Sequence, residues 1–116
     1  MKNFIIILCC IICLFDIRTI AQNDVQSIDE LIQKSQYLQA LNLLEKLNTG
    51  DSTQVEILQK QAYCNVKLGR FTQAKMLYYS ALKKKSESPE ILLQIALIGE
   101  KENNYFEAFK SYQKLN

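Results

Sequence analysis

Cys64 is the residue best placed for covalent chemistry, because Lys60 and Lys67 lie within one helical turn on either side and nearby cations lower a thiol's pKa. On a helix the same residue is a small apolar packing group, and that reading is favoured. Tyr78, Tyr79 and Tyr112 offer rings on which a sugar could stack. Two of the three hold core places in the repeat described below, which favours packing between helices. Glu100, Glu102 and Glu107 are close enough in sequence to suggest an acid–base pair, yet no nucleophile, metal-ligand cluster or phosphate loop accompanies them. The 116 residues include no His and no Trp, which removes imidazole bases and His-ligated metals. The expectation is a protein without catalytic activity, cofactor or metal.

The length argues for one domain at most, and 48% hydrophobic with 22% charged residues is ordinary for a foldable chain. Three Gly and one Pro are too few for a sandwich of short strands joined by tight turns. The apolar residues are unevenly spread: residues 4–15 form an uninterrupted apolar run, preceded by Lys2 and followed by Asp16, Arg18 and then Thr19, Ile20, Ala21, with small residues at the first and third places. This is the pattern of a signal peptide, cleaved after Ala21, and the run is short for a membrane span of roughly 20 residues. Retention as an anchor, extended by Ile17 and Ile20, is the alternative. Cleavage would remove Cys9, Cys10 and Cys13, leaving Cys64 without a disulfide partner. Export to a periplasmic, cell-envelope or secreted location is therefore expected, with membrane contact only if the segment is retained. The formal charge of +2 falls to +1 after cleavage, so no nucleic-acid partner is expected. Lys83, Lys84 and Lys85 read as cations at the negative end of a helix dipole.

The elements that position these residues repeat every 34 places. Tyr37, Phe71 and Tyr105 are in register, as are Ala40, Ala74 and Ala108; Leu44, Tyr78 and Tyr112; and Leu47, Ala81 and Leu115. Upstream, Ile28, Ala62 and Ala96 share a place, and so do Leu58 and Leu92. Spacings of three and four put these residues on one helical face, which predicts a helix pair per copy. Alanine suits places where two helices approach closely. Gly69 and Asn103 tolerate the left-handed backbone of a tight turn, while Ser35 does so less readily and predicts a looser first turn. Ser27 with Glu30 and Thr53 with Glu56 have capping-box spacing, Ser88 before Pro89 reads as an N-cap, and Gly50 reads as a helix stop. Helices are expected near 24–35, 38–48, 54–68, 71–85, 89–102 and 105–115.

This period and helix-turn-helix pattern resemble tetratricopeptide repeats, with copies at about 21–54, 55–88 and 89–116 following a 1–21 leader. Leu58 and Leu92 replace an aromatic often found early in the first helix, and Asn65 and Gly99 stand where a Tyr is common. The resemblance implies an all-α, right-handed solenoid whose first helices line a concave groove for a peptide or partner helix. Carried over by register, the groove-lining residues are Gln59, Tyr63, Val66 and Lys67 from the second copy, and Leu93, Leu97, Glu100 and Lys101 from the third. Places where some members hold Lys and Asn for a partner's C-terminal carboxylate are occupied here by Val25, Asp29, Lys60, Glu90 and Gln94, which lack most of those donors.

Helical stacks need polar outer faces on their terminal repeats, because each copy buries its apolar face only against a neighbour. The last expected helix instead carries Tyr105, Phe106, Phe109, Tyr112 and Leu115 on more than one side. Phe106, Phe109, Tyr112 and Leu115 are thus a candidate association surface, expected to be covered by a second copy, a partner or sequence lost through truncation. The expected function is an exported, non-catalytic scaffold that binds a protein or peptide. The alternatives are a membrane-tethered envelope assembly factor and a small-ligand or glycan binder.

Overall fold

The computed structural model describes the backbone of residues 2–47, 51–85 and 88–116. Within them every regular element is an α-helix: α1 (Lys2–Gln33), α2 (Tyr37–Lys46), α3 (Asp51–Lys67), α4 (Phe71–Lys84), α5 (Pro89–Lys101) and α6 (Tyr105–Leu115). The chain divides into two compact units, Met1–Gln36 and Tyr37–Asn116. The first expected pair is split by this division, its first helix forming the end of α1 and its second being α2.

The first unit is the long helix and its closing turn. Residues 2–33 contain neither Gly nor Pro, so nothing in the sequence interrupts the hydrogen-bond ladder, and α1 runs unbroken through Ala21. The helix expected to begin near 24 therefore begins much earlier, and Ser27 lies inside it instead of capping it. Phe4, Ile5, Leu8 and Ile11 are exposed along its first turns. Among the described residues no helix is long and apolar enough to cross a membrane.

The second unit is an array of α2 followed by two helix pairs, α3–α4 and α5–α6. Its core combines residues that share the 34-residue register with three isoleucines of α5 that lie outside it. Ala62 of α3, Ala74, Tyr78 and Ala81 of α4, and Ile91, Ile95 and Ile98 of α5 form one buried cluster, with Val55, Leu58, Val66, Phe71, Leu77 and Leu82 packed around it. Ala40 and Ala108 are buried at the equivalent places of α2 and α6. Gly99 is also buried, and a Cβ there would stand 3.1 Å from the Ala108 backbone nitrogen and 3.2 Å from the Asn104 carbonyl oxygen. Its lack of a side chain lets α6 lie directly on α5.

The three turns are alike. Ser35, Gly69 and Asn103 take φ of 60°, 74° and 58°. In each, the following amide bonds the carbonyl five residues back: Gln36 to Leu31 at 2.8 Å, Arg70 to Asn65 at 2.8 Å and Asn104 to Gly99 at 2.7 Å. This is the Schellman closure of a helix end, and it requires a left-handed residue at the turn. The first turn is not looser, because two backbone hydrogen bonds compensate the roughly 1–2 kcal/mol that a left-handed Ser costs.

Two further capping expectations change. Ser88 is the N-cap of α5 with Pro89 at the first helical position, but its Oγ donates to the Glu90 carboxylate at 2.9 Å and makes no cap hydrogen bond. Thr53 lies inside α3, which begins at Asp51, so it does not start that helix. Gly50 lies outside the described residues. Lys83 and Lys84 do sit in the last turn of α4, where cations favour the helix dipole.

Gly69 and Gly99 are needed for different reasons, and substitutions should separate them. Gly69→Ala is expected to cost about 1 kcal/mol through backbone strain, since nothing lies within 4 Å of a Cβ there, and Gly69→Asn about half as much. Gly99→Val should cost about 2–3 kcal/mol by forcing α6 off α5. Urea unfolding at constant m-value would measure both.

Candidate functional site

The residues predicted to line a groove fall on two stripes in matching register. Gln59, Tyr63, Val66 and Lys67 follow i, i+4, i+7, i+8 along α3, and Leu93, Leu97, Glu100 and Lys101 do so along α5. The opposite faces of both helices contribute to the shared core cluster, so that core fixes the orientation of each stripe. Tyr63, Leu93 and Leu97 are 38%, 40% and 39% exposed, so each keeps part of its apolar surface in solvent. Gln59 is half-buried, Lys67, Glu100 and Lys101 are exposed, and Val66 packs against the core cluster.

The Tyr63 ring is held in place. Tyr37 of α2 meets it edge-on, with centroids 6.3 Å apart and planes at 71°, and the Lys67 ammonium lies 5.4 Å from its centroid. Edge-to-face and cation–π contacts of this kind each contribute about 0.5–1 kcal/mol at exposed sites. A ring already oriented loses little entropy on meeting a partner. On α5, Glu100 accepts a hydrogen bond from the Tyr112 hydroxyl at 2.9 Å, which ties the end of that stripe to α6. The Tyr112 pKa is raised, first by that hydrogen bond, then by burial and by the Glu100 charge.

The predicted association surface separates into two parts. Phe106 and Phe109 are 69% and 59% exposed, and Tyr105 is exposed beside them. Tyr112 and Leu115 are half-buried. The Lys110 ammonium lies 4.9 Å from the Phe106 ring centroid. The buried face of α6 is made by Ala108 and Ser111.

Other sequence candidates are spent on structure. Cys64 is fully buried, and desolvation raises its pKa, which opposes the thiolate that a reactive cysteine needs. Tyr78 is buried in the core cluster, and its hydroxyl is pushed up to about 12, by burial first and then by Tyr63 and Cys64. Tyr79 donates to Glu107 at 2.9 Å, so the tyrosines present no common platform. Among the described residues no group of acidic, Cys or His side chains is arranged to hold a metal.

A polar network joining α4 to the start of α6 was not foreseen. The Lys75 ammonium bridges Glu102 at 2.6 Å and Glu107 at 2.9 Å. Glu107 also accepts from Tyr79 and from Asn104 Nδ2, while Asn104 Oδ1 accepts from the Glu107 amide and caps α6. Two signals in the sequence could have revealed it: the capping-box spacing of Asn104 and Glu107, and a lysine at a register place held by Leu41 and Phe109 in the other copies.

The array of helix pairs defines the class: a tetratricopeptide-like helical scaffold for protein interaction. The sequence profile of the coatomer epsilon subunit matches residues 18–112. The chain belongs to that family, which consists of structural coat components and not of enzymes. No curated protein matches the chain. The family match corrects the expected location: coatomer epsilon is a cytosolic coat protein, which overturns the periplasmic, cell-envelope or secreted reading. The match also begins inside the 1–21 segment that had been read as a leader.

The Lys75 network gives a pH-dependent contribution to stability. Burial draws the Glu107 pKa up, but the hydrogen bonds from Lys75 and Tyr79 and the lysine charge outweigh it and leave the carboxyl below its ordinary value. Hydrogen bonds to Glu102 and then Glu107 raise the Lys75 pKa. The Glu107 contribution is therefore present above the ordinary carboxyl range, near 4.5, and is lost as pH falls through the depressed value. The Lys75 contribution is present below about 10.5 and is lost as pH rises through the raised value. Lys75→Met is expected to lower stability by about 1–2 kcal/mol at pH 7 and to flatten the acid limb of a pH–stability profile measured by urea unfolding.

Proposed function

We propose that this chain is a non-catalytic subunit of a cytosolic coat-type assembly, and that it holds a partner segment against the exposed stripes of α3 and α5. The observation that carries this reading is the triplet Tyr63, Leu93 and Leu97, exposed on helices whose other faces are locked in one core. Affinity would come from burying these three side chains, with Lys67, Lys101 and Glu100 at the rim selecting orientation through charge. Leu93 and Leu97 are one turn apart, a spacing that matches the apolar face of a helical partner. The copies at 55–88 and 89–116 would be the units that present the stripes, and no cofactor takes part.

The exposed aromatic residues of α6 support a second contact. Phe106 and Phe109 would meet a second copy or another subunit, with Tyr112 and Leu115 at the margin of that contact.

The full chain, tagged and recovered from its own cells, is expected to elute in size-exclusion chromatography as a stoichiometric complex well above its 13.4 kDa. Leu97→Glu or Tyr63→Ala should weaken that complex at least about tenfold with the helical signal unchanged, as expected for a central apolar contact. Retention of the complex by both variants would sink the α3–α5 reading. If Phe109→Glu instead disperses the complex, the α6 surface is the principal contact.

A further inference from the structure

The 34-residue register lets the two junctions of the second unit be compared place by place. Where the second helix pair meets the third, Lys75 and Tyr79 of α4 face Asn104 and Glu107, and the network described above fills the junction. One copy earlier the corresponding residues are Leu41 and Glu45 of α2, and Arg70 and Gln73 at the start of α4. Here the structure holds an open cleft of about 360 Å³. Its apolar wall is Leu41, Met76 and Leu77, and its polar rim is Glu45, Arg70 and Gln73. Asn65 also borders it, but its Nδ2 is committed to the Gln61 carbonyl at 2.9 Å. Among the described residues the side chains of Glu45, Arg70 and Gln73 have no hydrogen-bond or ion-pair partner, unlike every polar member of the equivalent junction.

We propose that this cleft between α2 and α4 is a second recognition site, which takes a peptide segment carrying a carboxylate next to an apolar side chain. The apolar side chain lies against Leu41, Met76 and Leu77. Met76, at 67% exposed, is the wall residue with most to gain from cover, and its unbranched thioether adapts to different shapes. The ligand carboxylate meets the planar fork of Arg70, the geometry that suits two parallel hydrogen bonds. Glu45 accepts from a backbone N–H of the segment, as Glu107 accepts from Asn104 and Tyr79 in the filled junction. A cavity of this size lies at the small end of the range for ligand sites, enough for two adjacent side chains. These residues are distinct from the Tyr63, Leu93 and Leu97 triplet, so the site does not depend on the reading given under the proposed function.

The test titrates the full chain, with labelled methyl and amide groups, against acetyl-Leu-Glu-amide and the neutral isostere acetyl-Leu-Gln-amide, followed by nuclear magnetic resonance. Saturable shifts are expected at Leu41, Met76, Leu77 and Arg70, with the neutral peptide bound about fivefold more weakly, as for a charge-assisted hydrogen bond near the surface. Arg70→Gln should weaken the acidic peptide about fivefold and abolish the preference between the two, whereas Glu45→Gln should keep that preference. Leu97→Glu should leave both titrations unchanged, which separates this site from the α3–α5 stripe. Absence of saturable shifts at the cleft, equal binding of the two peptides, or a preference that survives Arg70→Gln would each overturn the proposal.

Discussion

Close approach between neighbouring helices is the constraint on which the second unit depends. A helix pair of this length has one apolar face and cannot bury it alone, so each pair is stable only when laid against the next. Alanine at the shared place of α2, α4 and α6, with Ala62 and Ala96 on α3 and α5, brings the helix axes together. Gly99 carries the same logic to its limit, because the α6 backbone occupies the space that its side chain would fill. The larger residues, Ile91, Ile95, Ile98 and Tyr78, then occupy the space between helices. The faces turned away from the core are left to present Tyr63, Leu93 and Leu97 to solvent.

Within that frame the two junctions of the array are built from opposite chemistry. One is closed by a lysine between two glutamates, with a tyrosine and an asparagine completing the carboxylate's hydrogen bonds. A partly buried charge is tolerable there because each member has a partner. The other junction carries Leu41 in place of the lysine, its polar side chains have no partner among the described residues, and it stays open. Near-identical backbone turns precede both, and the side chains at the matching places differ. Within one repeat architecture, individual positions are thus free to close a junction or to leave it open.

The repeat was legible because its cause is local: a 34-residue period in small and apolar residues, with a turn-forming residue at 35, 69 and 103. Helices α4, α5 and α6 lie within a residue of their expected bounds, whereas α1 does not begin where a capping box suggested. Ser27 and Glu30 have the right spacing, but a capping box starts a helix only where the preceding chain is not already helical, and nothing before Ser27 breaks the ladder. The N-terminal apolar run, followed by small residues, also satisfied the pattern of an export address. That pattern is compositional and is equally compatible with an uninterrupted helix, so only the family match could correct the location.

The sequence by itself determined the helical class, the period, the turns and the alanine core, since each follows from spacing along one helix or from backbone preference at one residue. Tertiary structure decided which side chains meet across helices. Lys75 and Glu107 are 32 residues apart, and their contact depends on the position of α6 relative to α4, which no periodicity encodes. The need for Gly99 and the open cleft beside Arg70 have the same origin. Both are properties of the space between helices, and that space is set by the summed packing of many side chains instead of by the spacing of any few.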